Sequence, residues 1–224
     1  MKVKIHREGT DILIVTALGL IVVLAPMWIW CPMWLAGTLT AVAGVAYFFL
    51  VNFFRSPRRH FRGDRHNAVV SSADGTVVAL EETFEDEVLH CRCIQLSVFM
   101  SVLNVHANWF PVDGTVELVR HHAGRFMAAY LPKSSNENER STVLLRTPAG
   151  QPVLLRQVAG AMARRIVTYA KPGEEADIDD HLGFIKFGSR VDLYLPLGTN
   201  ILVSIGQKTV GGVTQVARLN PPMP

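Results

Sequence analysis

Two uncharged apolar runs fill most of the first quarter of the chain. Ile12–Trp30 contains no charged residue, and neither does Cys31–Asn52. Each run approaches the ~20 residues a helix needs to cross a bilayer. Pro26 and Pro32 lie where the runs meet, and Trp28, Trp30 and Trp34 cluster there. Proline suits a turn and tryptophan a lipid–water interface, so the pattern predicts a membrane helical hairpin over residues 1–55. After Arg65 the runs give way to alternation, the signature of half-buried strands. Strands are predicted on either side of Ala73-Asp74-Gly75 within Val69–Leu80, then over Val88–Val98. Thr115–Arg120 and Arg125–Leu131 read as a hairpin, and 133–140 as a polar loop. Thr142–Arg146 and Val153–Val158 are further strands, Gly160–Thr168 is a short helix or strand, and Glu174–Asp180 an acidic loop. Ile185, Phe187, Val191, Leu193 and Leu195 share one parity across 181–196. The tail spaces Gly198, Gly206 and Gly211-Gly212 between short strands. The fold class is therefore mainly β (α+β), a helical hairpin followed by a β-rich barrel or sandwich over 56–224.

Charge gives the hairpin an orientation. Lys2, Lys4 and Arg7 precede it, and Arg55, Arg58, Arg59, Arg62 and Arg65 follow it. By the positive-inside rule both ends are cytoplasmic, which puts residues 56–224 on the cytoplasmic side of the cell (inner) membrane. A cleaved signal peptide would leave the second apolar arm unexplained. The formal net charge is +3, and beyond residue 55 the chain carries 18 basic against 17 acidic residues, so no nucleic-acid footprint is present. The juxtamembrane arginines suit an anionic lipid surface, although topogenic charge explains most of them. Cys31, Cys91 and Cys93 are too few for a closed zinc site, and they read as buried, reduced thiols with no metal. Two fragments are related, ADGTVV at 73–78 and VDGTVE at 112–117. Asp-Gly before alternating apolar residues signals turns and a weak internal duplication. His121-His122 sits beside a predicted turn and is expected to face solvent.

One dipeptide could carry chemistry. Gly188-Ser189 interrupts the strand-like run 181–196. A serine hydroxyl can attack the carbonyl carbon of the preceding residue: the Oγ–C bond forms, the C–N bond breaks, and the proton ends on nitrogen. Elimination then releases a chain ending in Gly188, and hydrolysis with loss of ammonia leaves Ser189 as an N-terminal pyruvoyl group. Glycine is the residue least hindered at such a carbonyl. A pyruvoyl carbonyl condenses with an amine and accepts the electron pair of a breaking C–CO2 bond. Gly-Ser alone is most often a turn or bulge.

The surrounding motifs narrow the reading. FGSRVDLYLP, preceded by HLGFIK, resembles the cleavage segment of the short bacterial and archaeal form of phosphatidylserine decarboxylase. FFRSPRR (53–59), SADGTV (72–77), NVHANWFPVDG (104–114), KSSNENER (133–140) and AGAMARRI (159–166) are similar to further blocks of that family in the same order. The resemblance implies decarboxylation of phosphatidylserine to phosphatidylethanolamine in phospholipid biosynthesis. It makes Ser189 the cleavage nucleophile and pyruvoyl precursor and Gly188 the cleavage site. A β chain, 1–188, and an α chain, 189–224, come from one precursor, and self-association is left open. The family activates its serine with a histidine and an aspartate, which match His106 and Asp74 here. Asn138, Glu139 and Arg140 are candidates for the lipid headgroup. Longer members carry a second histidine three positions on, where this chain has Trp109. His106 then serves both cleavage and proton return, or cleavage uses His181 or a carboxylate. The rival readings are a decarboxylase of archaetidylserine or of a soluble amino acid, and a membrane-anchored carrier-like module without chemistry. Lys208, in Gly-Gln-Lys, lacks the context of a carrier lysine.

Overall fold

A computed structural model of the chain describes residues 3–124, 138–160, 165–186 and 189–221. The chain divides into two compact units, Met1–Arg58 and Arg59–Pro224.

The first unit is the predicted hairpin. Helices α1 (Arg7–Trp30) and α2 (Met33–Phe53) are about 36 and 32 Å long at the usual helical rise. Each is long and apolar enough to cross a bilayer. Leu18, Ile21, Val22 and Ile29 on α1, and Val42, Val45 and Phe48 on α2, are exposed. Such a surface suits lipid and is unfavourable in water. Pro26 was expected in the turn but lies within the last turns of α1; the break falls at Cys31-Pro32. Strand β1 (Val3–Ile5) pairs antiparallel with β2 (Arg55–Pro57), and the His6 N–H donates to Phe54 O at 2.8 Å. Gly9 permits this closure, because a Cβ there would lie 2.3 Å from the Phe54 ring. The two ends of the hairpin therefore emerge side by side.

The second unit contains β3 (Ala68–Val70), β4 (Gly75–Glu85), β5 (Cys91–Met100), β6 (Ala107–Trp109), β7 (Gly114–His122), β8 (Arg140–Arg146), β9 (Pro152–Ala159), β10 (Ile166–Thr168), β11 (Glu175–Ala176), β12 (His181–Ile185), β13 (Ser189–Pro196), β14 (Asn200–Ile201), β15 (Lys208–Thr209) and β16 (Gln215–Arg218). Eight strands form a curled half-barrel sheet in the order β11-β7-β8-β9-β13-β5-β4-β15. Among the described residues, two three-stranded sheets, β10-β12-β6 and β14-β16-β3, account for the other strands of this unit. Alternation decides the core. Leu96, Val98, Val143, Leu145, Leu155, Val191 and Leu193 bury on one face of the large sheet.

The opposite face buries a smaller cluster, Cys93, Leu154 and Tyr194, against Val88 and Leu89 of the β4–β5 tip. Glu85 accepts hydrogen bonds from the N–H groups of Glu87, Val88 and Leu89 at 3.2, 2.9 and 2.7 Å, and from Arg156 at 2.8 Å. Burial opposes its ionisation, but these N–H donors and the Arg156 charge bring its pKa below the ordinary carboxylate value. This wrapping makes a turn of 86–90, so the strand predicted from Val88 begins at Cys91.

Other expectations shift similarly. Thr115–Arg120 lies in β7, whose partner is β8; the expected partner 125–131 is outside the described residues, as are 133–137 and 161–164. Ile166–Thr168 is a strand, and the acidic loop contains the short β11. Of the three thiols only Cys93 is buried; Cys91 is exposed and Cys31 half-buried. His122 is half-buried, with a buried Nε2 that has no hydrogen-bond partner among the described residues.

Candidate active site

Ser189 is the first residue of β13, the strand between β9 and β5, and it is fully buried. Its register partners are Ala159 on β9 and Met100 on β5. Ladders run along both sides of β13, pairing Ser189 to Tyr194 with β9 and Ser189 to Pro196 with β5. Upstream, β12 is held between β10 and β6. The segment between β12 and β13 therefore joins two strands that are each fixed on both sides. Gly188 lies within it, outside the described residues.

His106 is fully buried, and its backbone carbonyl accepts from the Ile185 N–H at 3.2 Å. Nδ1 lies 3.0 Å from Asn104 O. A carbonyl oxygen only accepts, so Nδ1 carries a proton. His181 pairs with Trp109 at the other end of β12, four residues or about 13 Å along the strand from Ile185. His106 thus adjoins the end of β12 that leads to Ser189, and His181 the far end.

Asp74 stands at the entry to β4. Arg59 grips its carboxylate from Nη1 and Nη2 at 2.5 and 2.9 Å, and the Gly211 N–H donates to Oδ1 at 2.9 Å. Arg59 also donates to Gly211 O at 2.8 Å and lies 4.6 Å over the Trp109 ring. Trp109 is buried and meets His181 edge to face at 4.8 Å between centroids. It occupies the place of the absent second histidine with an aromatic shelf for Arg59. Gly75 lets β4 approach β5 closely, since a Cβ there would lie 2.1 Å from Phe99 O. One step beyond the Thr76–Phe99 pair, Gly75 flanks Met100, whose other neighbour is Ser189. Asp74 and Ser189 therefore sit at the same end of the sheet, on strands about 10 Å apart.

The three headgroup candidates separate. Asn138 is fully buried and donates from Nδ2 to Ala159 O at 2.6 Å, beside the register partner of Ser189. Glu139 O accepts from the Ala159 N–H at 2.9 Å, and its carboxylate lies 3.5 Å from His121 Nε2. Arg140 pairs with Val158, on the face opposite Ser189, and its guanidinium binds Glu87.

The site also contains residues that sequence reasoning passed over. Met100 Sδ accepts from Ser189 Oγ at 3.3 Å and from Asn108 Nδ2 at 3.6 Å. Gln157 Nε2 donates to Asn108 Oδ1 at 2.8 Å, and Gln157 Oε1 accepts from Thr168 Oγ1 at 2.8 Å. Gln157 could have been flagged as a polar residue on the apolar parity of β9, and Asn108 as the i+2 neighbour of His106. No group of three metal-ligating side chains occurs among the described residues.

Comparison with known proteins supplies the family. The profile described as Phosphatidylserine decarboxylase matches residues 46–217. A phosphatidylserine decarboxylase proenzyme from Parabacteroides distasonis is 54% identical over 218 residues, covering 97% of this chain and 99% of the relative. Proenzymes of the same name from Bacteroides thetaiotaomicron and Bacteroides fragilis are 54% and 56% identical, each over 97% of this chain and 96% of the relative.

Proposed function

The chain belongs to the phosphatidylserine decarboxylase family, and on that premise we propose that it converts phosphatidylserine to phosphatidylethanolamine after cutting its own backbone between Gly188 and Ser189. The observation that carries this reading is the place of Ser189, on a central strand laddered on both sides. A cut there frees an end group without freeing the strand that bears it. The α chain, 189–224, stays laced to the β chain, 1–188.

The surroundings fit a pyruvoyl group at residue 189. Its strand neighbours are Ala159 and Met100, and a buried amide donor, Asn108, shares the Met100 sulfur with it. When formed, that group would supply an electrophilic carbonyl for the substrate amine and a sink for the electron pair of the C–CO2 bond. His106, with its Nδ1 proton held by Asn104 O, takes the Ser189 hydroxyl proton during cleavage and holds a proton for return to the substrate carbon. Asp74, fixed by Arg59 and Gly211, is the motif aspartate at this end of the sheet. Asn138 is the headgroup candidate on the side of Ser189. The apolar hairpin anchors the chain in the cell membrane, and the basic residues at both its ends favour a cytoplasmic location for the unit that follows.

The test is intact mass on a denaturing gel, together with CO2 release from phosphatidylserine vesicles. Two chains split before Ser189 and vesicle-dependent CO2 are expected. Ser189→Ala should remain one inactive chain. Decarboxylation by that variant, or a wild-type chain that stays whole, would overturn the assignment.

A further inference from the structure

We propose that Asn108 and Gln157 are positioning residues for self-cleavage, acting on Ser189 through the Met100 thioether. The inference rests on the reading of Ser189 as the cleavage nucleophile. Met100, Asn108, Gln157 and Ser189 are all fully buried. Their hydrogen bonds run one way. Thr168 has a single hydroxyl proton and lies 2.8 Å from Gln157 Oε1 and 2.7 Å from Ser141 Oγ. An amide oxygen cannot donate, so Thr168 donates to Gln157 and Ser141 donates to Thr168. Gln157 then donates to Asn108, and Asn108 presents its NH2 group to Met100. The reverse orientation would aim the Asn108 oxygen at a sulfur that can only accept.

A buried polar chain of this kind is unfavourable unless every member is satisfied, and an apolar core would be simpler. This one ends on the sulfur that receives the reacting hydroxyl. A thioether is a weak acceptor and no base. It aims the Ser189 O–H without removing the proton, leaving deprotonation to another group. The amide chain anchors the sulfur, and the sulfur holds Oγ in one rotamer. In the step so prepared, the Oγ bond to the carbonyl carbon of residue 188 forms and the C–N bond breaks. The hydroxyl proton finishes on the nitrogen of residue 189.

The experiment follows cleavage of pulse-labelled full-length chain, made by cell-free translation into lipid nanodiscs, on denaturing gels across pH. Met100→Leu keeps volume and removes the acceptor, and it should slow cleavage about tenfold. Met100→Leu with Asn108→Leu should be no slower than the worse single change, because both act along one path. Gln157→Glu is the sharper probe. A protonated glutamic acid can donate to Asn108 and accept from Thr168 as glutamine does, whereas a carboxylate cannot donate. Its cleavage rate, divided by that of wild type at each pH, should approach one in acid and fall about tenfold once the carboxyl ionises. A flat ratio near one, or full-rate cleavage by folded Met100→Leu, would overturn the proposal. If Gln157→Glu does not fold, Met100→Leu alone decides. A wild-type chain that never cleaves would instead refute the assignment of Ser189.

Discussion

At the scale of single residues, the candidate site positions and their supports differ in how visible they are. Ser189, His106 and Asp74 stand out because they fall within ordered motifs. Arg59 closes another such motif, FFRSPRR, yet one arginine among several after an apolar run reads as topogenic charge, and its partner is not legible there. In the structure its side chain and that of Asp74 are 8% and 13% exposed, and the pair closes on Trp109 and Gly211. Removing one partner of a buried pair strands the other charge, which costs ~3–5 kcal/mol. Arg59→Met should therefore lower the urea midpoint strongly, and adding Asp74→Asn should recover much of the loss. Strictly additive effects would mean that the two charges are not coupled. Cys93 tells a similar story. Burial first, then the neighbouring Cys91 and Glu85, pushes its thiol up to about 11, so it should resist alkylation in the native chain while exposed Cys91 reacts. Equal labelling of both thiols in native protein would contradict this.

At the scale of elements, the repeated Asp-Gly-Thr fragments have a shared structural meaning. Asp74 binds Arg59 and the Gly211 N–H; Asp113 binds Arg65 and the Ile178 N–H. The following glycines, Gly75 and Gly114, each face a strand carbonyl at 2.1 Å from where a Cβ would sit. Each fragment is thus a strand entry fixed by one arginine and one amide, and not the turn of a two-residue hairpin. The β4–β5 tip is held in place by charge. Glu85 ionises more readily folded than unfolded, so its contribution is present above its ordinary pKa of 4.5 and is lost as pH falls through the lower folded value. Hydrogen exchange of the Glu87, Val88 and Leu89 amides should quicken in that acid range, and Glu85→Gln should show fast exchange already at neutral pH. On β7, burial and then the Arg140 charge push the His122 pKa down. Its contribution is present above 6.5 and is lost as pH falls through the lower folded value. The urea midpoint should decline as pH drops below 6.5, and His122→Gln should flatten that slope. An unchanged slope would remove His122 from the acid response.

At the scale of the whole molecule, a cut before Ser189 should leave the protein in one piece. The α chain contributes β13 to the centre of the large sheet, β15 to its edge, and β14 and β16 to a second sheet. On gel filtration in detergent without denaturant, both chains should elute together; separation there would mean that the ladders on β13 do not hold. The sequence by itself determined the apolar hairpin and the mainly β character of the rest, and it singled out the candidate dipeptide and its motif partners. Those features are written in local order: run length, alternation and short motifs. Tertiary structure alone decided which strands neighbour Ser189, that His106 and not His181 adjoins the end of β12 leading to it, and that Arg140 lies on the far face. It also decided that Gln157, Asn108 and Met100 form a hydrogen-bond chain that ends at the Ser189 hydroxyl. These residues are 32 to 89 positions from Ser189 or on other strands, and strand register, which sets every such meeting, depends on partners far along the chain.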